Sequence, residues 1–310
     1  MVQPIKYKMD SITRFLATYY DQTLINSPKP HPMAVTPVCI YLFETKQNPE
    51  FSVVMPIHNQ ESIITDNLNS VLEHMDGTFE MILVIDACSD QTLERILDWV
   101  EQPKPKTLTK LVVILSVTPL FETAADNIGF RLAKAPYILE LQADMKMTEK
   151  GFNRILERPF KRYENVIGVS GRCAHDFLQT KGVGKLGTLV EQPYDPSLSQ
   201  TNFYVFGTCN RGPLLLSKEK VQALGYLDEA NYFLDNSDHD IFARALKEKG
   251  WICGYVPIEF LSPLVHGSTR KSRNSLNQLF YNDYKLTKKG GFYEEYIKTK
   301  EIIQPRVLPC

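Results

Sequence analysis

Two neighbouring stretches, SVVMPIHNQE at 52–61 and MILVIDACSD at 81–90, indicate how this chain folds. Each begins with a short apolar run, Ser52–Ile57 or Met81–Ile85, and each run ends in a polar turn. Between them, Ser62–His74 carries apolar side chains at helical spacing, which predicts an amphipathic helix. A strand, a helix and a second strand within about thirty to forty residues form the unit that pairs its two strands in parallel.

The same alternation continues beyond residue 90. Apolar runs predict strands at Lys110–Val117 and Tyr137–Leu141, and apolar spacing predicts helices at Thr92–Val100 and Ala124–Lys134. This alternation predicts an α/β fold of Rossmann-like type, with a mostly parallel sheet and helices on both faces.

The segments on either side of this pattern differ from it. Residues 1–50 form an N-terminal extension, in which apolar residues around Phe15 predict a short amphipathic helix before the proline-rich stretch SPKPHPMAVTP. Residues 269–310 form an aromatic and charged C-terminal tail, which could cover a site of the domain or form a homodimer contact. We therefore expect a single domain over residues 51–268.

Composition excludes several classes of protein. The chain has 310 residues, 43% hydrophobic and 23% charged, as in ordinary globular proteins. Its net charge of -1 lacks the basic excess of a nucleic-acid-binding protein. The six cysteines form no CxxC pair, which excludes zinc-finger and thioredoxin motifs. With no signal-peptide-like start and no apolar run near the ~20 residues that span a bilayer, we expect a cytoplasmic protein without a transmembrane segment.

Polar turns follow three of the four predicted strands: PIHNQE begins at Pro56, DACSD at Asp86 and QADM at Gln142. In a parallel sheet the carboxyl ends of the strands lie along one edge, where such folds bind their ligands. Each turn alone is also explained by conformation, because Asp and Ser cap helices and bond their own backbone. The first turn contains no glycine, which excludes the GxGxxG dinucleotide motif and the P-loop.

The order of these turns resembles that of the inverting glycosyltransferases of family 2, which have the GT-A fold and use nucleotide-diphosphate sugars. The family's elements are matched in order by Pro56, Asn59 and Glu61, by IDACSD at 85–90, by ADNIG at 125–129, by Gln142-Ala143-Asp144 for D-x-D, by GTCNRGPLLL at 207–216, by SDHDIFAR at 237–244 and by KGW at 249–251. The resemblance implies one catalytic domain, with a nucleotide-sugar half at 51–145 and an acceptor half at 146–268.

The resemblance implies a donor site at the carboxyl edge of the sheet. The residues it places against a UDP- or GDP-sugar are Pro56, His58, Asn59, Glu61, Asp86, Asn127, Gln142, Asp144, Arg270 and Arg273. Mn²⁺ or Mg²⁺ would stabilise the departing diphosphate, with Asp144 and His266 as its protein ligands. A packing role for His266, and a solvated basic loop around Arg270 and Arg273, remain open alternatives. Asp90 is expected to cap the following helix.

An inverting transfer is a single displacement in which a carboxylate removes the proton of the attacking hydroxyl. Asp238 is the predicted catalytic base, because Ser237-x-x-Asp240 is a capping-box pattern that places Asp238 in the first turn of a helix, where the helix dipole favours its ionised form. Asp235 is the second choice, and Asp240 is expected to pair with Arg244. The predicted contacts to a glycan, lipid or small-molecule acceptor, or to phosphate, are Asn210 and Arg211.

Two departures from the family pattern keep a second hypothesis open. Gln142 stands in place of the first Asp of D-x-D, and Ala87 in place of the second Asp after the second strand. A degenerate domain that binds a nucleotide sugar or glycan without transfer would show such changes. The retained Asp144, Asp238 and His266 favour an active enzyme. A sugar nucleotidyltransferase is disfavoured, because PIHNQE lacks a glycine-rich basic turn.

Overall fold

The computed structural model describes residues 8–18, 36–177, 198–232, 236–262, 291–301 and 303–310, and the backbone alone at 185–187. The strands are β1 Val38–Glu44, β2 Phe51–Ile57, β3 Phe79–Asp86, β4 Leu108–Ser116, β5 Tyr137–Glu140, β6 Lys146–Met147, β7 Val166–Ser170, β8 Cys173–His175, β9 Lys185–Gly187, β10 Asn202–Phe206, β11 Thr208–Cys209, β12 Leu214–Ser217, β13 Ile252–Tyr255, β14 Phe260–Leu261 and β15 Arg306–Pro309. The helices are α1 at 8–18, α2 Ile64–His74, α3 Thr92–Val100, α4 Phe121–Leu132, α5 Phe152–Arg162, α6 Lys218–Ala223, α7 Ser237–Lys249 and α8 Phe292–Ile297.

Ten strands form one sheet in the order β1-β4-β3-β2-β5-β12-β7-β13-β10-β15. Within it β4, β3, β2 and β5 run parallel, as the sequence predicts, and their bounds agree with the predicted ones to within two residues. Every residue of β3 is buried. Continuous burial is expected of parallel strands that are covered on both faces.

Helices cover both faces of this parallel block, which confirms the predicted α/β fold class. The successive β2 residues Val54 and Met55 belong to different apolar clusters, because side chains alternate along a strand. Met55 shares its cluster with Trp99 of α3, whereas Val54 shares the other with Ile128 of α4 and Leu16 of α1. The predicted amphipathic helix around Phe15 is therefore present. In the described ranges, no helix combines the length and apolar character that crossing a bilayer requires.

The two edge strands of the sheet come from outside residues 51–268. β1 pairs antiparallel with β4, and β15 pairs antiparallel with β10. These strands escape sequence reasoning because each is a short, partly exposed edge strand beside proline or charged residues. Between β5 and β15 the sheet is continued by strands of mixed direction, in the half of the chain for which no strands are predicted.

An ion pair lies inside the parallel block. Glu80 Oε2 is 3.1 Å from Lys110 Nζ, and their side chains are 0% and 8% exposed. Glu80 Oε1 accepts hydrogen bonds from Ser52 Oγ (2.6 Å) and from the backbone amide of Lys134. Ser52 Oγ in turn accepts the amide of Ala135 at 3.0 Å. These bonds hold the turn before β5 to strands β2, β3 and β4.

Lys110→Met should lower the free energy of unfolding by about 3–5 kcal/mol, because Glu80 is then an uncompensated buried charge. Urea unfolding measures the change. Lys134→Met is the matched control: its ammonium pairs with Glu44 but is 58% exposed, so we expect a loss below about 1 kcal/mol. Equal losses in the two variants would contradict the assignment of the buried pair.

Candidate active site

Side chains join the turns that follow β2 and β3. Asn59 Oδ1 accepts the backbone amide of Ser89 at 2.8 Å, and Asn59 Nδ2 donates to Ser89 Oγ at 3.2 Å. Asp90 Oδ2 accepts the amide of Glu61 at 3.1 Å. Asp90 Oδ1 accepts the amide of Thr92, the first residue of α3, at 3.0 Å, but the N-cap position is Gln91, so Asp90 contacts the helix start from one residue ahead of the cap. The two turns therefore form one rim at the carboxyl edge of the sheet.

Asp86, the last residue of β3, anchors helix α4. Its buried carboxylate accepts the backbone amides of Leu120 (2.6 Å) and Phe121 (2.9 Å), and α4 starts three residues before the predicted Ala124. Burial raises the pKa of Asp86 to about 6, although the two amide bonds and the charge of His58 oppose the rise. A nucleotide base that binds Asp86 would share this carboxylate with α4.

Gln142, in the turn after β5, bridges two charged side chains. Its Oε1 accepts a hydrogen bond from Arg172 Nη1 at 3.0 Å, and its Nε2 donates to Glu122 Oε1 at 3.0 Å. An amide can do both because it has a donor end and an acceptor end, whereas an ionised carboxylate only accepts. Gln142 is therefore matched to its neighbours in a way that the family's Asp would not be.

Asp144 is 8% exposed in the same turn. Asn67 Nδ2 on α2 fixes this turn by donating to the carbonyl oxygen of Ala143 at 2.7 Å. A carboxylate is the kind of oxygen ligand that Mg²⁺ takes beside substrate phosphates, so the donor chemistry of Asp144 fits the predicted metal. Four predicted residues lie outside the described part of the chain: His266, Arg270, Arg273 and Asp235.

Three carboxylates lie beside Gln142: Glu122 and Asp126 of α4 and Glu140 of β5, each with an oxygen within 4.8 Å of the others. Asp126 and Glu140 are fully buried, and burial raises the pKa of Glu140 to about 8 and also raises that of Asp126. The guanidinium of Arg211 opposes these shifts. Its Nη1 is 2.8 Å from Asp126 Oδ2 and 3.4 Å from Glu122 Oε1. This acidic cluster thus contains a cation supplied by the chain itself.

Sequence reasoning misses this cluster, although one signal is present. Glu140 interrupts the apolar run YILEL, and a carboxylate inside a buried strand requires a partner. Glu122 lies ahead of the predicted helix start. The partner Arg211 is 85 residues from Asp126, so no local pattern connects them.

Asp238 lies in the first turn of α7, as predicted. Its Oδ1 accepts hydrogen bonds from Nδ1 (2.8 Å) and the backbone amide (2.9 Å) of His239. Burial alone would raise the pKa of Asp238, but the adjacent His239 and the charge of Arg211 hold that pKa well below its ordinary value. The side chain keeps 14% exposure. The carboxylate is therefore ionised at neutral pH, on a side chain that is partly exposed.

The predicted capping box of Ser237 and Asp240 at the start of α7 is wrong. Ser237 is already helical, and its Oγ accepts hydrogen bonds from Thr123 Oγ1 (3.0 Å) and from Arg211 Nη2. Contacts with α4 and Arg211 thus replace a cap within the helix. Asp240 Oδ2 is 2.7 Å from Arg244 Nε, which confirms the predicted pair.

Other predicted site residues have protein partners of their own. Asn127 is buried, and both ends of its amide bind the backbone of Leu227, at 2.9 and 3.0 Å. Arg211, a predicted acceptor contact, is 6% exposed and gives both terminal nitrogens to protein groups. Asn210 Oδ1, in contrast, is buried and has no hydrogen-bond partner among the described residues.

The C-terminal segment packs against the turn that carries Asp238. The ring of Tyr293 on α8 is 5.1 Å from the ring of His239, which also contacts His175 at 5.0 Å. The Tyr293 amide donates to Asp240 Oδ1 at 3.1 Å. Part of the tail therefore lies beside the candidate site.

The chain is similar to several known proteins. The Glycosyl transferase family 2 model matches residues 52–221. The amylovoran biosynthesis glycosyltransferase AmsB of Erwinia amylovora is 24% identical over 245 residues, which cover 75% of this chain and 76% of that protein. The solved mannosyltransferase PcManGT from Pyrobaculum calidifontis, in complex with GDP-Man and Mn²⁺, matches with a TM-score of 0.52 at 15% identity. The match covers 95% of this chain and 77% of the mannosyltransferase chain. S. aureus TarS 1–349, in complex with UDP, matches with a TM-score of 0.45 at 17% identity. The match covers 69% of this chain and 58% of the TarS chain.

The matched range is more than half of the 310 residues and contains the parallel block, the three strand-end turns and the acidic cluster. The observed α/β fold agrees with this match. We conclude that the chain belongs to glycosyl transferase family 2 and is a glycosyltransferase with the GT-A type of fold.

Proposed function

We propose that this glycosyltransferase is an inverting enzyme that moves a hexose from a UDP- or GDP-sugar to an acceptor hydroxyl, with Asp238 as the general base. The observation that carries the proposal is the state of Asp238. It is an ionised carboxylate on a partly exposed side chain. The preceding residue, Ser237, binds Arg211, which connects α7 to the acidic cluster. A general base of this kind accelerates proton transfer by roughly 10²- to 10⁴-fold.

The two oxygens of Asp238 have different surroundings. Oδ1 is held by two hydrogen bonds from His239, whereas Oδ2 accepts none from any residue that the structure describes. We assign Oδ2 to the proton of the attacking hydroxyl. Asn210, with its buried oxygen, is our candidate for a second contact to the acceptor.

On the donor side, we assign the nucleotide sugar to the rim at Asn59 and Asp86. We assign the metal to Asp144 and His266, and the diphosphate to Arg270 and Arg273. The fold shared with a mannosyltransferase that binds GDP-Man and Mn²⁺ supports this assignment. When bound, the cation neutralises the charge that develops on the departing diphosphate.

Asp238→Asn should lower kcat by about 10²- to 10⁴-fold and leave the Kd of the donor unchanged, because it removes the proton acceptor and keeps the shape. Radiolabelled sugar transfer and donor titration measure the two quantities. Asp98→Asn, at an exposed position of α3, is the control and should behave as wild type. A Asp238→Asn enzyme within threefold of wild type would rule out Asp238 as the base.

Asp144→Asn should abolish the part of nucleotide binding that depends on Mn²⁺, because the protein then loses its carboxylate ligand. Thermal unfolding with UDP or GDP, in Mn²⁺ and in EDTA, measures this part as a difference in Tm. The exposed Asp66→Asn on α2 is the control. If the Mn²⁺-dependent rise in Tm survives in Asp144→Asn, the metal assignment is wrong.

Nucleotide-sugar binding without transfer is the second candidate, and Gln142 is the feature that favours it. The bridge from Gln142 to Arg172 and Glu122 gives this side chain a structural role at the position where the family has the first Asp of D-x-D. A wild-type protein that binds a nucleotide sugar but releases no sugar, with water or with any glycan acceptor, would favour the binding role.

The Gln142 bridge itself can be tested by exchanging its donor and acceptor. Gln142→Glu sets two carboxylate oxygens across the present 3.0 Å contact with Glu122 and should lower the free energy of unfolding by about 1–3 kcal/mol, since a partly buried hydrogen bond is lost. Adding Glu122→Gln restores one donor to the pair and should recover most of that loss. Urea unfolding of the four proteins gives the coupling energy, and strictly additive losses would contradict the bridge.

A further inference from the structure

Arg211 joins three elements of the fold. It follows β11, and its Nη1 pairs with Asp126 and Glu122 of α4. Its Nη2 donates to Ser237 Oγ, at the first residue of α7. A planar guanidinium can hold several oxygens at fixed angles, which a lysine ammonium on its flexible stem cannot.

The first turn of α7 depends on such contacts from outside the helix. The residue before it, Asn236, has a left-handed φ of 66° and makes no side-chain cap bond. Ser237 Oγ instead lies between Arg211 and Thr123 of α4. Since Asp238 is the next residue, the position of its carboxylate is set by the same contacts.

The contacts of Arg211 with α4 also connect it to the turn after β5, which carries Gln142 and Asp144 and is called the donor-side turn below. Glu122, which pairs with Arg211, also accepts a hydrogen bond from the side-chain Nε2 of Gln142. Gln142 lies two residues before Asp144. A continuous series of charged and polar contacts thus runs from the predicted metal ligand's turn to the turn that carries the base.

We propose that Arg211 is a positioning residue, which holds the first turn of α7, and with it Asp238, at a fixed place relative to the donor-side turn. This inference rests on the proposed function, in which Asp238 is the base. It replaces the expected contact of Arg211 with the acceptor, since both terminal nitrogens are engaged within the protein.

Arg211 also acts on the charge of Asp238. The titratable and charged groups that act on Asp238, or are acted on by it, are His239, Arg211, Asp126, Glu140, Cys209 and Tyr293. After burial, which raises the pKa of Asp238, His239 and Arg211 lower it. Removing the guanidinium should therefore raise that pKa and move the acid limb of the kcat–pH profile to higher pH.

Two variants separate position from charge. Ser237→Ala removes the contact and keeps Arg211, so we expect kcat to fall about tenfold with an unchanged acid limb and an unchanged donor KM. Arg211→Gln removes both the contact with Ser237 and the positive charge, so we expect kcat to fall about 10- to 100-fold and the acid limb to move to higher pH. Arg95→Gln, at an exposed position of α3, is the control and should match wild type. Thermal unfolding checks each fold, and Ser237→Ala decides the matter if Arg211→Gln does not fold.

The opposite results are equally clear. A rise in acceptor KM at unchanged kcat in Arg211→Gln would make Arg211 a substrate contact, and an unchanged kcat in both variants would refute the positioning role. If the wild type transfers no sugar, the proposed function fails by itself. The ¹³C carboxyl signal of Asp238, assigned with Asp238→Asn, then still tests Arg211: a signal with the same chemical shift and the same titration in Arg211→Gln, in Ser237→Ala and in wild type would overturn the inference.

Discussion

Parallel strands that are buried on both faces have room for polar groups chiefly at their ends, and this constraint places the site. β2, β3 and β5 are covered by helices on both sides, so their first polar side chains at the carboxyl ends collect along one edge. Asn59 and Glu61, Asp86, and Gln142 with Asp144 all follow this rule. The sheet brings to one edge residues that the sequence separates by 27 positions (Asn59 to Asp86) and by 56 positions (Asp86 to Gln142).

Helix α4 then connects the rim to the rest of the site. Its start is held by the carboxylate of Asp86, its first turn supplies Glu122 and Thr123, and its second turn supplies Asp126. The neighbouring Arg211 compensates part of the buried negative charge, as Lys110 does for Glu80 in the parallel block. Buried carboxylates are tolerated in a fold only with such partners. In this protein the partner of the acidic cluster also reaches the helix that carries Asp238.

Sequence reasoning predicts the parallel block well, because short apolar runs between helical patterns leave few alternatives. It also predicts the Asp240–Arg244 pair, and it places Asp90 at the start of α3 although Gln91 is the N-cap, because these contacts join residues only a few positions apart. It fails where long-range contacts decide. Ser237 looks like a helix cap but is held by Arg211 and Thr123, more than twenty residues away. The edge strands β1 and β15 are likewise recognisable only by the strands they pair with.

In the mechanism that we propose, a single displacement assisted by Asp238 transfers the sugar with inversion. The most direct test is ¹H NMR of the first sugar released from an α-linked UDP- or GDP-sugar when water is the acceptor, recorded before mutarotation. The account predicts that the β-anomer appears first and that Mn²⁺ accelerates its release. Initial release of the α-anomer would indicate retention and would contradict the role of Asp238 as a base in a single displacement.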